Sequence, residues 1–356
     1  MRIAAPKDNL ARRRFYNILV VRTDRVGDLV LTTPVFQALR RAYPEARITL
    51  LCAAWTRPLV EGDPCLDAIL VDDRQRRHRG TWGFWRLVFD VRREGFDLAL
   101  ILHTKRRTNA LCFLAGIPTR VGYGRRKWGG LATHILNDER PQGKRHEVDY
   151  GLELARFVTG RSFTDWRLRL ALDAQAEQRV AALWKKRGWS NRQRVVAVHP
   201  GASDPSKQWP AARFQELIDW MRQRYAVEAV VIGGREVQGL GAVIASKGRA
   251  VDLTGKTTLA EMVSVLRRCH LLVSNDSGPV HVAAALGIGV VSIFTRNQPG
   301  INPERWAPLG KMSRVVAAKR LSLATADFRK ARLLKEEEAR QVSLAEVRAA
   351  VEKFFE

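Results

Sequence analysis

The feature that most constrains this chain is an alternation that runs twice: short apolar, β-branched segments separated by stretches of helix length. Ile18 to Val21, Ile48 to Cys52, Ala68 to Val71, Leu98 to His103 and Arg120 to Gly122 form the first series. After a charged stretch at 160–192 the pattern restarts with Val195 to His199, Ala229 to Ile232, Ala250 to Leu253, Leu271 to Ser274 and Val290 to Phe294. Strands joined by helix-length crossovers run parallel, and parallel strands buried on both faces read as unbroken apolar runs. The expected fold class is α/β, two open parallel-sheet units in series. The length of 356 residues agrees, since it exceeds one ordinary core. At the end, QVSLAEVRAAVEKFFE pairs Ser343 with Glu346 in a capping-box spacing, and Leu344, Val347, Val351, Phe354 and Phe355 recur at helical spacing. This helix must dock on something.

Composition enters through charge. Sixty-one Lys and Arg against 36 Asp and Glu give +25, which favours an anionic partner: nucleic acid, anionic lipid or a phosphorylated substrate. From Arg74 to Arg145, 17 basic residues face 5 acidic ones, a net +12; residues 1–150 as a whole carry 28 minus 16, also +12. The excess of this half is therefore local. A nucleic-acid-binding protein is a distant alternative, because no helix-turn-helix, zinc-finger or RNP pattern occurs. Cys52, Cys65, Cys112 and Cys269 show no CxxC spacing, which points to core packing in a reducing compartment rather than to a metal site or disulfide framework. The N-terminal MRIAAPKDNLARRR reads as a basic tail without the apolar core of a signal peptide, and a cytoplasmic protein is expected.

Ligands of open parallel sheets bind beyond the carboxyl ends of the strands. Three such loops of the second half carry compatible groups. In LLVSNDSGPVHVAAALG a strand ends in Asp276, Ser277 and Gly278, with His281 one turn into the next helix. Free N–H groups at that helix start favour an anion, so the stretch fits a phosphate cradle; a structural helix start with His281 packed on the sheet fits as well. In HPGASDPSKQWP the small residues Gly201 to Ser203 precede Lys207, a cation suited to a diphosphate leaving group, although a solvated surface lysine reads the same way. In IGGREV, Glu236 follows a glycine pair and suits a ribose. In the first half, RTDRVGDLVLTTP places Gly27 and Asp28 at the opening of a helix. Asp28 there is either a general base or a helix cap.

Four stretches, VVRTDRVGDLVLTTPVFQALRRAYPEARITLL, FLAGIPTRVGY, HPGASDPSKQWPAARF and LTGKTTLAEMVSVLRRCHLLVSNDSGPVHVAAALG, resemble in order and spacing glycosyltransferase family 9, the ADP-heptose lipopolysaccharide heptosyltransferases. The resemblance runs from Ile18 to about Phe294; the continuation TRNQPGINPERWAPLG and the absence of a C-terminal cysteine pattern depart from the family. It implies a GT-B fold, two Rossmann-like domains with parallel sheets facing a cleft and a C-terminal helix returning to the N-terminal domain. The corresponding division is a basic tail at 1–14, an acceptor-binding domain at 15–170, a nucleotide-sugar-binding domain at 171–335 and the returning helix at 336–356.

By position, the family's catalytic base is Asp28, and its donor-binding residues are Ser203, Lys207, Glu236, Asp276, Ser277, Gly278 and His281. Acceptor binding would fall to Gly27, Lys105, Arg106, Arg107 and Arg120, with Arg125, Arg126 and Lys127 nearby. The implied reaction is a single inverting displacement from ADP-heptose onto a phosphorylated glycolipid, Kdo or heptose on lipid A. No Asp-x-Asp pair occurs, so no metal clamp and no cofactor are expected. An anionic inner-membrane surface is the expected location, with the protein peripheral to it. Alternatives are transfer from another nucleotide sugar and a sugar-nucleotide epimerase of related GT-B architecture.

Overall fold

The computed structural model describes residues 10–103, 105–124, 129–190, 193–319 and 342–356. Arg125, Arg126, Lys127, most of the basic tail and residues 320–341 lie outside them. The chain divides into two compact units, one ending at Pro141 and resuming over Glu147–Ala171, the other made of Gln142–His146 and Leu172–Glu356. The short 142–146 segment belongs with the second unit: Asn302 Nδ2 donates to Gly143 O at 2.9 Å, and His146 Nε2 lies 2.9 Å from Ala307 O. A side chain at Gly143, whose φ is +62°, would run into the Gly300 amide.

In the first unit, β1 (Asn17–Arg22), β2 (Arg47–Ala53), β3 (Ala68–Asp72), β4 (Leu98–Ile101), β5 (Thr119–Gly124) and β6 (His134–Asn137) form a parallel sheet in the order β3-β2-β1-β4-β5-β6. β1 is central because NILVVR is apolar on both faces: Val20 pairs in register with Leu50 on one side and Leu100 on the other, and all three are fully buried. The helices are α1 (Val26–Val30), α2 (Thr33–Ala42), α3 (Gly80–Arg93), α4 (Arg106–Leu114) and α5 (Glu147–Thr159). Leu87, Val88 and Val91 of α3 pack with Leu19, Val21, Ala99 and Ile101 of the sheet.

The second unit repeats the plan. β7 (Val195–His199), β8 (Glu228–Val231), β9 (Val251–Asp252), β10 (Leu271–Asn275), β11 (Gly289–Phe294) and β12 (Ser313–Ala317) run parallel in the order β12-β11-β10-β7-β8-β9. Counted from its own first strand, this is the same order as in the first unit. The helices around it include α6 (Ala174–Lys186), α7 (Ala211–Tyr225), α8 (Gln238–Ile244), α9 (Leu259–Arg267) and α10 (Gly278–Leu286). Gly287, at φ +76°, ends α10 in the left-handed conformation and turns the chain into β11.

Two strands, β6 and β12, escape the sequence reading. Both are edges on which at most one position is buried, so neither carries the continuous apolar run of a central strand. The C-terminal helix Leu344–Glu352 has the expected capping box: the Glu346 amide donates to Ser343 Oγ at 3.2 Å, and the Ser343 amide donates to Glu346 Oε2 at 2.8 Å. Its docking differs from expectation. Val347 and Val351 are fully buried in the core of the second unit with Val291, Ile293 and Trp209, and Trp209 Nε1 donates to Val342 O at 2.9 Å. Phe355 stacks on Tyr225 with centroids 4.3 Å apart. The apolar face that was expected to return to the N-terminal domain is engaged by its own sheet, a burial worth about 1.5–3 kcal/mol per large side chain. Among the described residues, no helix is long and apolar enough to cross a membrane.

Candidate active site

In a sheet of this order the crevice lies where neighbouring crossovers diverge, at the carboxyl ends of the first and fourth strands. In the first unit this point falls between β1 and β4. Arg22, the last residue of β1, is buried and holds three carboxylates: Asp24 Oδ1 at 2.8 Å from Nε, Glu147 Oε1 at 3.2 Å from Nη2, and Asp28 Oδ1, to which Nη2 also donates. Burial opposes the guanidinium charge, but the carboxylates together outweigh it and hold its pKa above the ordinary value. Asp28 rides on the first turn of α1, whose N-cap is Arg25 with no side-chain cap bond. It is therefore not a cap. Burial pushes its carboxyl up, Arg22 pulls it down, Asp24 and Glu147 push it up again, and the result is a pKa of about 6. A single guanidinium facing three carboxylates leaves an excess of negative charge that a proton relieves.

Beyond β4, His103 closes the group. Its Nδ1 lies 3.3 Å from Thr23 Oγ1 and its Nε2 3.8 Å from Asp24 Oδ2. Burial and then the Arg22 charge lower it to about 4, so the ring is neutral at neutral pH. Gly27 is buried in α1.

The cations expected nearby divide. Lys105 and Arg106 are exposed where α4 begins, just past His103. Arg107 and Arg120, expected to meet an acceptor, each have partners within the first unit. Arg107 binds Asp72 through two bonds of 3.0 and 2.9 Å, donates to His78 O at 3.2 Å and lies over the Phe84 ring. Arg120 donates to Leu131 O at 2.7 Å and to Ile117 O, with its guanidinium over Phe113.

In the second unit the equivalent point lies between β7 and β10. Asn275, fully buried at the end of β10, accepts from the Trp209 amide at 2.9 Å and donates to Pro200 O at 2.6 Å. That pair of bonds fixes the HPGASDPSK loop against the SNDSG turn. Lys207 is consequently no solvated surface lysine: its Nζ sits 2.6 Å from Asp276 Oδ2, and both side chains are largely buried. An ammonium has three N–H groups, so the pair orients Lys207 and leaves donor capacity for an anion.

Ser277 is the N-cap of α10 by backbone only. Its hydroxyl turns inward to His199 Nδ1 at 3.0 Å and Ser274 Oγ at 3.0 Å, so the first amides of the helix carry no side-chain cap. Gly278 opens the helix. Burial lowers His199 to about 4; burial, then the His146 and Lys207 charges, lower His281 to about 3. Both are neutral rings, and His281 Nδ1 is buried without a hydrogen-bond partner. Ser203 is exposed in its loop. Glu236 is exposed after the Gly233–Gly234 turn, with its carboxylate folded against Gly234.

Arg22, Glu147, His103, His199 and Asn275 escape the sequence reading. So does Arg296, a buried arginine past β11 that donates to Ser206 Oγ at 3.3 Å and lies 3.7 Å from Asp204. Glu147 stands 125 residues from Arg22. Only the topology joins them, and the one available signal was Arg22 closing an otherwise apolar strand.

Two Rossmann-like units, each with polar groups gathered at its switch point, define the class as a GT-B glycosyltransferase fold. The model of glycosyltransferase family 9 (heptosyltransferase) matches residues 84–336, and the chain belongs to this family. Lipopolysaccharide heptosyltransferase 2 of Salmonella typhimurium is 26% identical over 325 residues, covering 84% of this chain and 87% of that protein. The solved family 9 glycosyl transferase of Veillonella parvula superposes with a TM-score of 0.84 at 22% identity, over 95% of this chain and 97% of that one. ADP-heptose lipopolysaccharide heptosyltransferase II of E. coli gives 0.71 at 23% identity, over 95% and 99%.

Proposed function

We propose that this glycosyltransferase moves a heptose from ADP-heptose to a sugar hydroxyl, Kdo or heptose, of the lipopolysaccharide inner core on lipid A, with inversion and without a metal. The observation that carries the reading is Asp28: a carboxylate held on a buried arginine at the first unit's switch point, with a pKa near 6. Such a group is ionised at neutral pH and a stronger base than an ordinary aspartate. Asp28 takes the proton of the acceptor hydroxyl, the oxygen forms its bond to the anomeric carbon, and the bond from that carbon to the diphosphate breaks, releasing ADP. Arg22 fixes the carboxylate, while Asp24 and Glu147 keep its basicity.

The leaving diphosphate is received in the second unit by Lys207 and the uncapped amides of α10 from Gly278. Asp276 orients Lys207, and Ser277 orders the turn through His199. Neutral His281, Ser203 and Glu236 complete the donor contacts. On the acceptor side Gly27 shapes the Asp28 turn, and Lys105 and Arg106 meet the phosphorylated core. The protein works at the inner face of the cytoplasmic membrane. Support comes from family membership and from relatives whose names specify heptosyl transfer. Turnover with a panel of nucleotide sugars, with and without a Kdo-containing lipid A acceptor and EDTA, tests it. ADP-heptose consumption that needs acceptor and survives EDTA is expected; donor turnover without acceptor would point to an epimerase instead.

A further inference from the structure

Helix α3 carries an outer face that the fold does not use. Gly83, Leu87, Val88 and Val91 are buried, whereas Trp82, Trp85 and Phe89, at positions i, i+3 and i+7, stand 83, 39 and 57% exposed. They line a shallow groove of about 490 Å³ together with Arg86. Isolated apolar side chains are ordinary at a surface, but two tryptophans and a phenylalanine on one helical face form a contiguous patch. Around it, residues 74–93 contain seven arginines, all exposed, and one acidic residue, Asp90, which is already paired with Arg77 at 2.7 Å.

α3 follows β3, the edge strand two places from β1, and leads back to the start of β4. Its first turn, with Trp82, therefore lies toward the carboxyl ends of the strands, the end at which Asp28 follows β1, and its last turn, with Arg92 and Arg93, lies toward the opposite end. Trp55, half exposed, opens the turn past the carboxyl end of β2.

We propose that α3 is the surface by which the chain lies on a bilayer of anionic phospholipid, with Trp82, Trp85 and Phe89 in the headgroup layer and Arg79, Arg86, Arg92 and Arg93 on lipid phosphates. Indole rings prefer that depth, and arginines snorkel from an apolar face to the phosphate plane. A helix of 14 residues with this division of faces lies on a membrane rather than crossing it. Charge selects the occupant: a second copy would bring its own seven arginines against these, whereas an anionic bilayer complements them. The surface is distinct from Lys105 and Arg106, and it rests on the proposed transfer reaction only for its purpose, delivery to a lipid-linked acceptor.

The full chain is mixed with vesicles of phosphatidylcholine, or of phosphatidylcholine with phosphatidylglycerol, some carrying brominated chains, and no glycolipid acceptor. Flotation with the phosphatidylglycerol vesicles alone is expected, weakened by salt and accompanied by bromine quenching of tryptophan emission. Replacing Trp82, Trp85 and Phe89 by Ser should lower the partition coefficient about tenfold or more with an unchanged melting temperature. Arg92→Glu with Arg93→Glu should do the same while leaving the groove of Trp82, Trp85, Arg86 and Phe89 intact. Wild-type flotation by both variants overturns the proposal, as does absence of wild-type binding or a lipid-independent dimer that the Ser variant abolishes. Wild-type protein that fails to bind vesicles yet turns over a soluble acceptor would refute the docking surface alone; wild-type protein that binds vesicles without turnover would refute the transfer reading alone.

Discussion

The two sheets share one strand order and gather opposite chemistry at the same topological point. Between β1 and β4 a buried arginine is surrounded by three carboxylates, so the group is rich in negative charge and holds a carboxyl near pKa 6. Between β7 and β10 the Lys207–Asp276 pair stands beside neutral histidines and an uncapped helix start, a setting suited to an anion. The fold supplies the same topological point twice, and a few residues after each strand set its charge.

The largest expected effect breaks this division on the first side. Asp28→Asn should lower kcat by about 10²-fold or more, the scale of lost general-base assistance. Asn keeps the side chain's size and an acceptor for Arg22, which retains Asp24 and Glu147, so the melting temperature should move little. Full activity in steady-state turnover would return Asp28 to a structural role.

Acid sharpens the contrast in stability. His199 and His281 have folded pKa values of about 4 and about 3, below the unfolded value, so their contribution is complete above about pH 6.5 and is lost as pH falls through those folded values. Asp28 has the opposite sign: its raised pKa favours the folded state most below about pH 4 and least above about pH 6, offsetting His103 in the first unit. On mild acidification the second unit should lose a few kcal/mol more than the first. Hydrogen exchange followed by mass spectrometry should show β10 losing protection before β1; equal loss would contradict these protonation states.

How much of this was legible in the sequence follows from what each element buries. Central strands such as Ile18 to Val21 and Leu271 to Ser274 announce themselves because both faces are covered. Edge strands β6 and β12, half exposed, do not. Local pattern puts Asp28 and Lys207 past strand ends, yet long-range partners set their state: Glu147 reaches the Arg22–Asp28 pair from 125 residues away, and Asp276 reaches Lys207 from 69. An amphipathic C-terminal helix reveals that it docks, and its stripe of Val347 and Val351 is silent about which sheet receives it. Charge density likewise marked Arg107 and Arg120 as ligand cations, whereas each is bound into the first unit by bonds to Asp72 or to backbone carbonyls.

That last distinction predicts a smaller effect. Lys105→Ala with Arg106→Ala should raise the acceptor's KM several-fold without altering stability, since exposed cations contribute little to the fold. Arg107→Ala should instead lower the melting temperature, because it leaves the buried carboxylate of Asp72 without its bidentate partner. An acceptor KM unmoved by the double substitution would make those residues a solvated face.

The division of labour between the two switch points is tested most directly by titrating ADP calorimetrically into three preparations: wild type, Asp28→Asn and Lys207→Ala. Asp28→Asn should bind ADP as wild type does while failing to turn over, and Lys207→Ala should bind about tenfold more weakly or worse, the scale of one lost charge-assisted contact. Wild-type ADP affinity in Lys207→Ala, or weakened ADP binding in a folded Asp28→Asn protein, would contradict the account.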